Sequence, residues 1–345
     1  MSGRRVVVTG AAGFIGRAAA QRFALAGHEV TGIVRNPSAT PAIPDVRWVP
    51  GDLAEPNGLD AARAALAAAD VLLHCAGIRR AATVTPAVLE RVNVASGPAL
   101  AALVPPECRI VFVSSAGVHG SSDGPALDES TPFRPYDRYS RSKVDAERAL
   151  ADATAKGPAS LTIVRPGVVY GPGDTYGVVA NMIKSIARRR FVFVGPGANR
   201  MNPLHVDDLA AGLLLAATRP ETDRAVIMAG AEPVSIAELA ATIAAVLGVG
   251  APRLRLPVAP TRAAAWLCEW LQATRVLPAK LPVSRASVAL MARHFLYDAS
   301  RAATRLGFRP RIPLADGIGE AVAWLRATGL LASRPQRGAD WRRAS

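Results

Sequence analysis

A tyrosine and a lysine four residues apart, Tyr139-Ser-Arg-Ser-Lys143, form the pair in this sequence best spaced for proton chemistry. On a helix, positions i and i+4 share a face. A free phenol titrates near ~10, too high for ready exchange at neutral pH. A nearby ammonium favours the phenolate and lowers that value, and Lys143 is expected to do this to Tyr139. Upstream, Ser114 and Ser115 close an apolar stretch. A hydroxyl there would hold a substrate oxygen while Tyr139 moves the proton. A Tyr-x3-Lys pair alone is common by chance. Its weight comes from falling one helix after a strand that ends in serine.

A second constellation handles phosphate. Val6-Val-Val-Thr-Gly10-Ala-Ala-Gly13-Phe14-Ile15-Gly16 reads as a strand, a glycine turn and a helix start. Gly10 permits the tight turn, Gly13 lets the backbone approach a pyrophosphate, and Gly16 lets the helix sit close to the sheet. The helix N-terminus then offers free N–H groups to the anion. The strand before the turn and the helix after it are the context that gives a glycine triplet meaning. The next strand ends Gly32-Ile-Val-Arg35. An acidic residue there would bind the ribose of NAD, whereas Arg35 suits the 2′-phosphate of NADP. NADP(H) is therefore favoured over NAD(H), the alternative being an exposed arginine with no such role. Asp52, in Gly51-Asp52-Leu53, is placed either to accept from the adenine amino group or to cap a helix.

These residues need a scaffold that brings strand ends together. Short apolar strands are expected at Val6–Thr9, Glu29–Val34, Arg47–Val49, Val71–His74, Arg109–Ser114 and Leu161–Arg165. The expected helices between them are Gly13–Ala26, Gly58–Ala68, Pro86–Leu103 and Tyr139–Ala155. Strands without polar alternation, separated by helices, predict a parallel sheet buried on both faces. Right-handed crossovers make that a doubly wound α/β (Rossmann) fold. After Arg165 the pattern loosens, with loop signals at Gly171-Pro-Gly and Gly195-Pro-Gly. A helix at Asp207–Thr218 and a strand at Ala225–Met228 return to the sheet. Ser235 and Glu238 form a capping box. Further helices are expected at Thr261–Thr274, Ser284–Ala292 and Leu314–Ala327. This divides the chain into a dinucleotide-binding domain, 1–170 with 206–229, and a smaller, mostly helical substrate domain, 171–205 with 230–332. A polar basic tail, 333–345, follows, expected to be frayed.

The 345 residues are 50% hydrophobic and 20% charged, which excludes disorder and small disulfide scaffolds. The net charge of +14 raises nucleic acid as a partner. Only four of 41 basic residues are lysine and the charge is scattered, so the excess reads as composition and no nucleic-acid partner is expected. Cys75, Cys108 and Cys268 lie far apart, as do the five histidines, so no metal site is expected. A reduced, cytoplasmic setting follows. The N-terminal apolar run reads as a first strand rather than a signal peptide. No apolar run approaches ~20 residues, so no membrane span is expected.

The ordered motifs resemble those of the extended short-chain dehydrogenases/reductases, also called the NAD-dependent epimerase/dehydratase family. The resemblance runs over about 4–330. It rests on the glycine turn, Gly51-Asp52-Leu53, His74-Cys75-Ala76-Gly77, Asn93 and Val113-Ser-Ser115-Ala-Gly-Val118-His-Gly120. Tyr139-x3-Lys143, Arg165-Pro-Gly-Val-Val-Tyr-Gly-Pro-Gly173, His205-Val-Asp-Asp208 and Tyr297-Asp-Ala-Ser-Arg301…Leu306-Gly-Phe-Arg-Pro310 complete it. The resemblance implies a Ser115, Tyr139, Lys143 triad, with Lys143 also holding the nicotinamide ribose. It implies that Cys75, Ala76, Pro166, Val168 and Val169 line the nicotinamide, that Asn93 braces the central helix, and that His205–Asp208 is a structural turn. A homodimer built on the helix bearing Tyr139 and the one before it is a family expectation.

Departures from the family pattern narrow the activity. Ala116-Gly117 stand where sugar-nucleotide dehydratases carry an Asp-Glu pair, so elimination chemistry is disfavoured. Arg35 replaces the acidic residue of many epimerases. Met201 stands where an arginine would clamp a diphosphate, with Arg200 one residue off, and Arg293-His-Phe-Leu replaces an Arg-Pro-Gly-Asp stretch. Trp266, Leu267, Trp270 and Leu271 form a helical stripe, read as a lipophilic lid or as plain core. In length and apolar character the Thr261–Phe295 segment looks more like the sterol dehydrogenase and dihydroflavonol reductase branches. Arg188-Arg189-Arg190 could meet an anionic substrate, the alternative and commoner reading being a solvated helix end. The expected function is an NADP(H)-dependent oxidoreductase interconverting a ketone and a secondary alcohol on a fairly apolar small molecule. The alternative is an NAD-dependent sugar-nucleotide epimerase with no net redox change.

Overall fold

A computed structural model describes residues 3–122, 124–155, 160–219, 224–273, 288 and 293–332. The expected helix at Ser284–Ala292, apart from Val288, and the tail at 333–345 lie outside the described residues.

The first strands are runs of β-branched and apolar residues, and they fold as the buried layer such runs require. In chain order, β1 is Arg5–Thr9, β2 Glu29–Val34, β3 Val46–Pro50, β4 Val71–His74, β5 Arg109–Val113 and β6 Ser160–Pro166. Strands β7 to β10 are two-residue pieces at Val169–Tyr170, Phe193–Val194, Arg200–Met201 and Leu204–His205. Strand β11 is Ala225–Met228, β12 Val234–Ser235 and β13 Arg255–Leu256. Seven strands form one parallel sheet in the order β3-β2-β1-β4-β5-β6-β11. The chain therefore runs outward from β1 in one direction, then in the other, and the reversal beside β1 opens a crevice at the carboxyl ends of the strands. This is the doubly wound α/β fold expected from the alternation.

Helices cover both faces. On one, α1 (Phe14–Leu25) packs against α7 (Val206–Thr218), with Phe23, Leu209 and Leu213 buried against Val6, Val8, Val111 and Val164. On the other, α4 (Ser96–Ala101) packs against α5 (Arg138–Thr154), and Leu100 and Leu150 meet Leu72, Ile110 and Phe112. A third apolar cluster joins α6 (Val178–Ala187), α8 (Ile236–Leu247) and α11 (Leu314–Ala327). Helix α9 is Val258–Ala273 and α10 is Ser300–Leu306. The Ser235–Glu238 capping box opens α8: Ser235 N donates to Glu238 Oε2 at 2.7 Å, and Glu238 N to Ser235 Oγ at 3.1 Å. Gly248 ends that helix at φ +65°, where a Cβ is unwelcome.

Two expected helices are broken. In place of Gly58–Ala68 there is a 3₁₀ turn, Asp60–Ala62, leading into α2, Arg63–Ala67. Asp52 N donates to Gly58 O at 2.8 Å, and that loop closure delays the helix. In place of a continuous Pro86–Leu103, α3 (Pro86–Glu90) is separated from α4 by a π-helical turn at Arg91–Ala95. Such turns disturb the regular ladder and turn side chains out of register. Asn93, inside the turn, is thereby aimed at neighbouring backbone.

Candidate active site

The glycine turn is tight for a visible reason. Gly10 has φ +65°, and a Cβ there would lie 2.7 Å from Ala76 Cα. Gly16 is equally constrained, since a Cβ would fall 2.3 Å from Gly10 O. Gly13 N donates to Gly10 O at 2.8 Å. Helix α1 begins at Phe14 with no side-chain cap and no acidic residue in its first turn, so its N–H groups face outward toward an anion. This cradle suits a dinucleotide pyrophosphate. Phe14 and Ile15 are partly buried in the first turn, and Gly173 closes over Phe14, where a Cβ would sit 3.3 Å from the ring.

The parallel register puts the other strand ends on the same edge. Thr9 pairs with Ile33 and His74, and His74 with Phe112. Arg35, Cys75, Ala76 and Ser115 therefore emerge along one rim, with Pro166 ending β6 and Val168 and Val169 just beyond it. Arg35 is exposed one residue beyond β2. Asp52 caps no helix: its Oδ1 accepts from Ala54 N at 2.9 Å in a local turn, and Leu53 packs against the core beside it. Cys75 is partly buried and its thiol is pushed up to about 12 by burial, so it is no thiolate at neutral pH.

Helix α5 carries Tyr139 and Lys143. Asp137 caps it, accepting from Ser140 N at 2.7 Å, and Ser140 Oγ accepts from Asp137 N. Tyr139 thus lies in the first turn and Lys143 one turn on. Lys143 is 3% exposed, donates to Val113 O at 2.8 Å and stands 4.6 Å over the Phe112 ring. Burial pulls its ammonium down to about 8, against the smaller opposing pull of Cys75 and Glu147. A Cβ on Gly77 would lie 3.2 Å from Nζ, so the missing side chain leaves that head group approachable. Burial pushes the Tyr139 phenol up to about 12, and the cation that pulls it back is Arg79 rather than Lys143. Arg79 also stands 3.7 Å from Asp174, whose buried carboxyl is raised by desolvation.

The two adjacent serines separate into different environments. Ser114 Oγ donates to Glu147 Oε1 at 2.5 Å in the interior. Ser115 Oγ accepts from Gly117 N at 3.1 Å at the partly exposed start of the Ala116–His119 turn, leaving its O–H as a donor. Of the two, Ser115 is the one at the partly exposed rim. The Tyr136 hydroxyl shares that corner: a Cβ on Gly117 would lie 3.2 Å from Ser115 Oγ and 3.8 Å from the Tyr136 oxygen.

Sequence reasoning missed the network beneath the site. Glu147 pairs with Arg165 at 2.6 Å, and Arg165 Nη1 meets His119 Nε2 at 3.1 Å, all buried. A charged residue inside an apolar strand, Arg165, and a Glu four positions after Lys143 on the same helix face were the available signal. Asn93 ties the loop bearing Arg79 to α5: its Oδ1 accepts from Ile78 N at 2.7 Å and its Nδ2 donates to Ser142 Oγ at 2.8 Å. His205 caps α7 through Asp207 N, and Asp208 accepts from Arg311 N and Ile312 N at 3.0 Å each, holding the last loop in place. His205, Asp207 and Glu320 could bring ligand atoms within 4.8 Å of one another, but both carboxylates are more than half exposed. Met201 is fully buried and offers no phosphate clamp, while Arg200 beside it is exposed and donates one N–H to Pro233 O at 2.8 Å. The tryptophan stripe is not core: Trp266 is 55% exposed and Trp270 53%.

The sequence profile described as the NAD dependent epimerase/dehydratase family matches residues 6–230. One curated relative is a 4-hydroxy-2-methyl-3-oxo-4-farnesyl-3,4-dihydroquinoline-1-oxide ketoreductase of Stigmatella aurantiaca. It is 29% identical over 323 residues, covering 91% of this chain and 94% of its own. Another, a ceramide reductase of Caulobacter vibrioides, is 29% identical over 330 residues, covering 94% and 96%. Among solved structures, MoeE5 in complex with UDP-glucose and NAD superposes with a TM-score of 0.72 at 25% identity, covering 94% of this chain and 99% of its own.

Proposed function

From the premise that the chain belongs to the NAD-dependent epimerase/dehydratase family, as an oxidoreductase of the extended short-chain type, we infer that it interconverts a ketone and a secondary alcohol on a fairly apolar small molecule, with NADP(H) as cofactor. The observation that carries this reading is convergence: the glycine cradle, Lys143, Tyr139 and Ser115 meet at one edge of the sheet. When bound, the nicotinamide supplies or accepts the hydride. Gly10, Gly13 and Gly16 admit its pyrophosphate, and Arg35 pairs with the 2′-phosphate. Lys143, anchored on Val113 O, has two further N–H donors for the ribose. Ser115 donates to the substrate oxygen and Tyr139 transfers the proton at that oxygen. In this division of labour, 1–170 with 206–229 binds the cofactor and 171–205 with 230–332 encloses the substrate.

The apolar substrate class rests on the named substrates of the two relatives and on the buried Met201 in place of a clamping arginine. The test is cofactor state. The freshly purified protein is denatured, any released nucleotide identified, and fresh protein titrated with NADPH and NADH. Exchangeable binding that favours NADPH, with NADPH oxidised by apolar ketones, is expected. Stoichiometric NAD that does not exchange would favour the sugar-nucleotide epimerase instead.

A further inference from the structure

Helix α9 carries Trp266, Leu267 and Trp270 at 55%, 47% and 53% exposure, while Ala265 is the residue buried against the body. Just before it, Leu254 and Leu256 are 61% and 43% exposed. Five large apolar side chains on one segment are costly in water unless they meet a partner. The charge of the same segment is one-sided. Residues 249–296 hold seven Lys and Arg against one acidic residue, Glu269. Arg253, Arg255 and Arg262 are exposed, and Arg262 lies one turn before Trp266 on the Trp266–Trp270 stripe.

We propose that α9 and the strand before it, Arg253 to Trp270, form a docking surface for an anionic lipid bilayer. Tryptophan settles at the boundary between head groups and chains, and arginine pairs with lipid phosphate. A helix with such a stripe and an arginine beside it lies in the plane of the membrane. No described helix is long and apolar enough to cross one. A second copy fits less well, because a two-fold contact would bring the same arginines together. Further along the chain, His294 O accepts from Ser122 N at 2.9 Å and the Phe295 ring lies 5.7 Å from Tyr136. Docking itself requires no assumption about substrate or cofactor.

The test is flotation of the full chain with vesicles of phosphatidylcholine alone and of phosphatidylcholine with phosphatidylglycerol, at low and high salt. Binding at least tenfold tighter to the anionic vesicles, and weakened by salt, is expected. Trp266→Ser with Trp270→Ser should lose at least tenfold while melting as the wild type does. Should that variant fold poorly, brominated lipid quenching of tryptophan fluorescence in the unaltered protein reads the same contact. No binding, no quenching, or a folded tryptophan variant that binds fully would overturn the proposal. So would a tryptophan-dependent dimer that ignores vesicles, or a preference for single-stranded oligonucleotide over them.

Discussion

Arg165 meets Glu147 at 2.6 Å inside the protein, one helical turn beyond Lys143. The same carboxylate accepts a hydrogen bond from the Ser114 hydroxyl, so the pair fixes both the strand that ends at the site and the helix that carries Lys143 and Tyr139. Removing one member leaves an uncompensated buried charge. Glu147→Ala should destabilise the fold by about 3–5 kcal/mol, read by urea unfolding. A loss under about 1 kcal/mol would mean that Arg165 finds water or another partner.

His74 bonds Thr9 Oγ1 at 2.7 Å and Ser96 Oγ at 3.2 Å, and burial pushes it down to about 3. The unfolded chain takes up that proton near ~6.5. Between these values the unfolded state binds more protons, so stability rises with pH and falls as pH drops from 6.5 toward 3. From pH 7.5 to 5.0 this group should cost about 2 kcal/mol. His74→Gln should therefore show a shallower acid limb than the wild type, in urea unfolding across that range. Equal slopes would remove His74 from the account.

Much of this was legible in the sequence because it is local. The strands announced themselves as apolar runs, the glycine turn by its place between β1 and α1, and the α8 cap by Ser235 and Glu238. What was not legible depends on distant chain segments. The choice between Ser114 and Ser115 is made by Glu147, 33 residues away, and came from sequence only through family resemblance. The break at Arg91–Ala95 is signalled only by Gly97 and Pro98 just after it, where the proline cannot bond the carbonyl of Val94, and Asn93 is placed only against Ile78 and Ser142. Helical spacing of Trp266 and Trp270 cannot distinguish a stripe facing a core from one facing solvent.

Arg79 acts on Tyr139 and stands beside Asp174, so it should set the protonation of the phenol. Removing a cation raises a phenol further. Arg79→Leu should move the basic limb of the alcohol-oxidation pH profile upward, with Arg79→Lys restoring part of the shift. An unmoved limb in both would place Arg79 outside the proton path.

Arg35 stands exposed past the end of β2. A charge-assisted bond to a phosphate is worth about 1.5–3 kcal/mol. Arg35→Ser should weaken NADPH by roughly tenfold to a hundredfold and leave NADH nearly unchanged, by fluorescence titration. Equal losses for both cofactors would point to a structural role.

The most direct test of the account is turnover in Tyr139→Phe. The ring is kept and only the hydroxyl is removed, so NADPH affinity should stay within about threefold, a difference below 1 kcal/mol. Ketone reduction by that variant should fall by about 10²–10⁴-fold. Turnover retained at the wild-type level, with the variant folded and binding cofactor, would contradict the assignment of proton transfer to Tyr139.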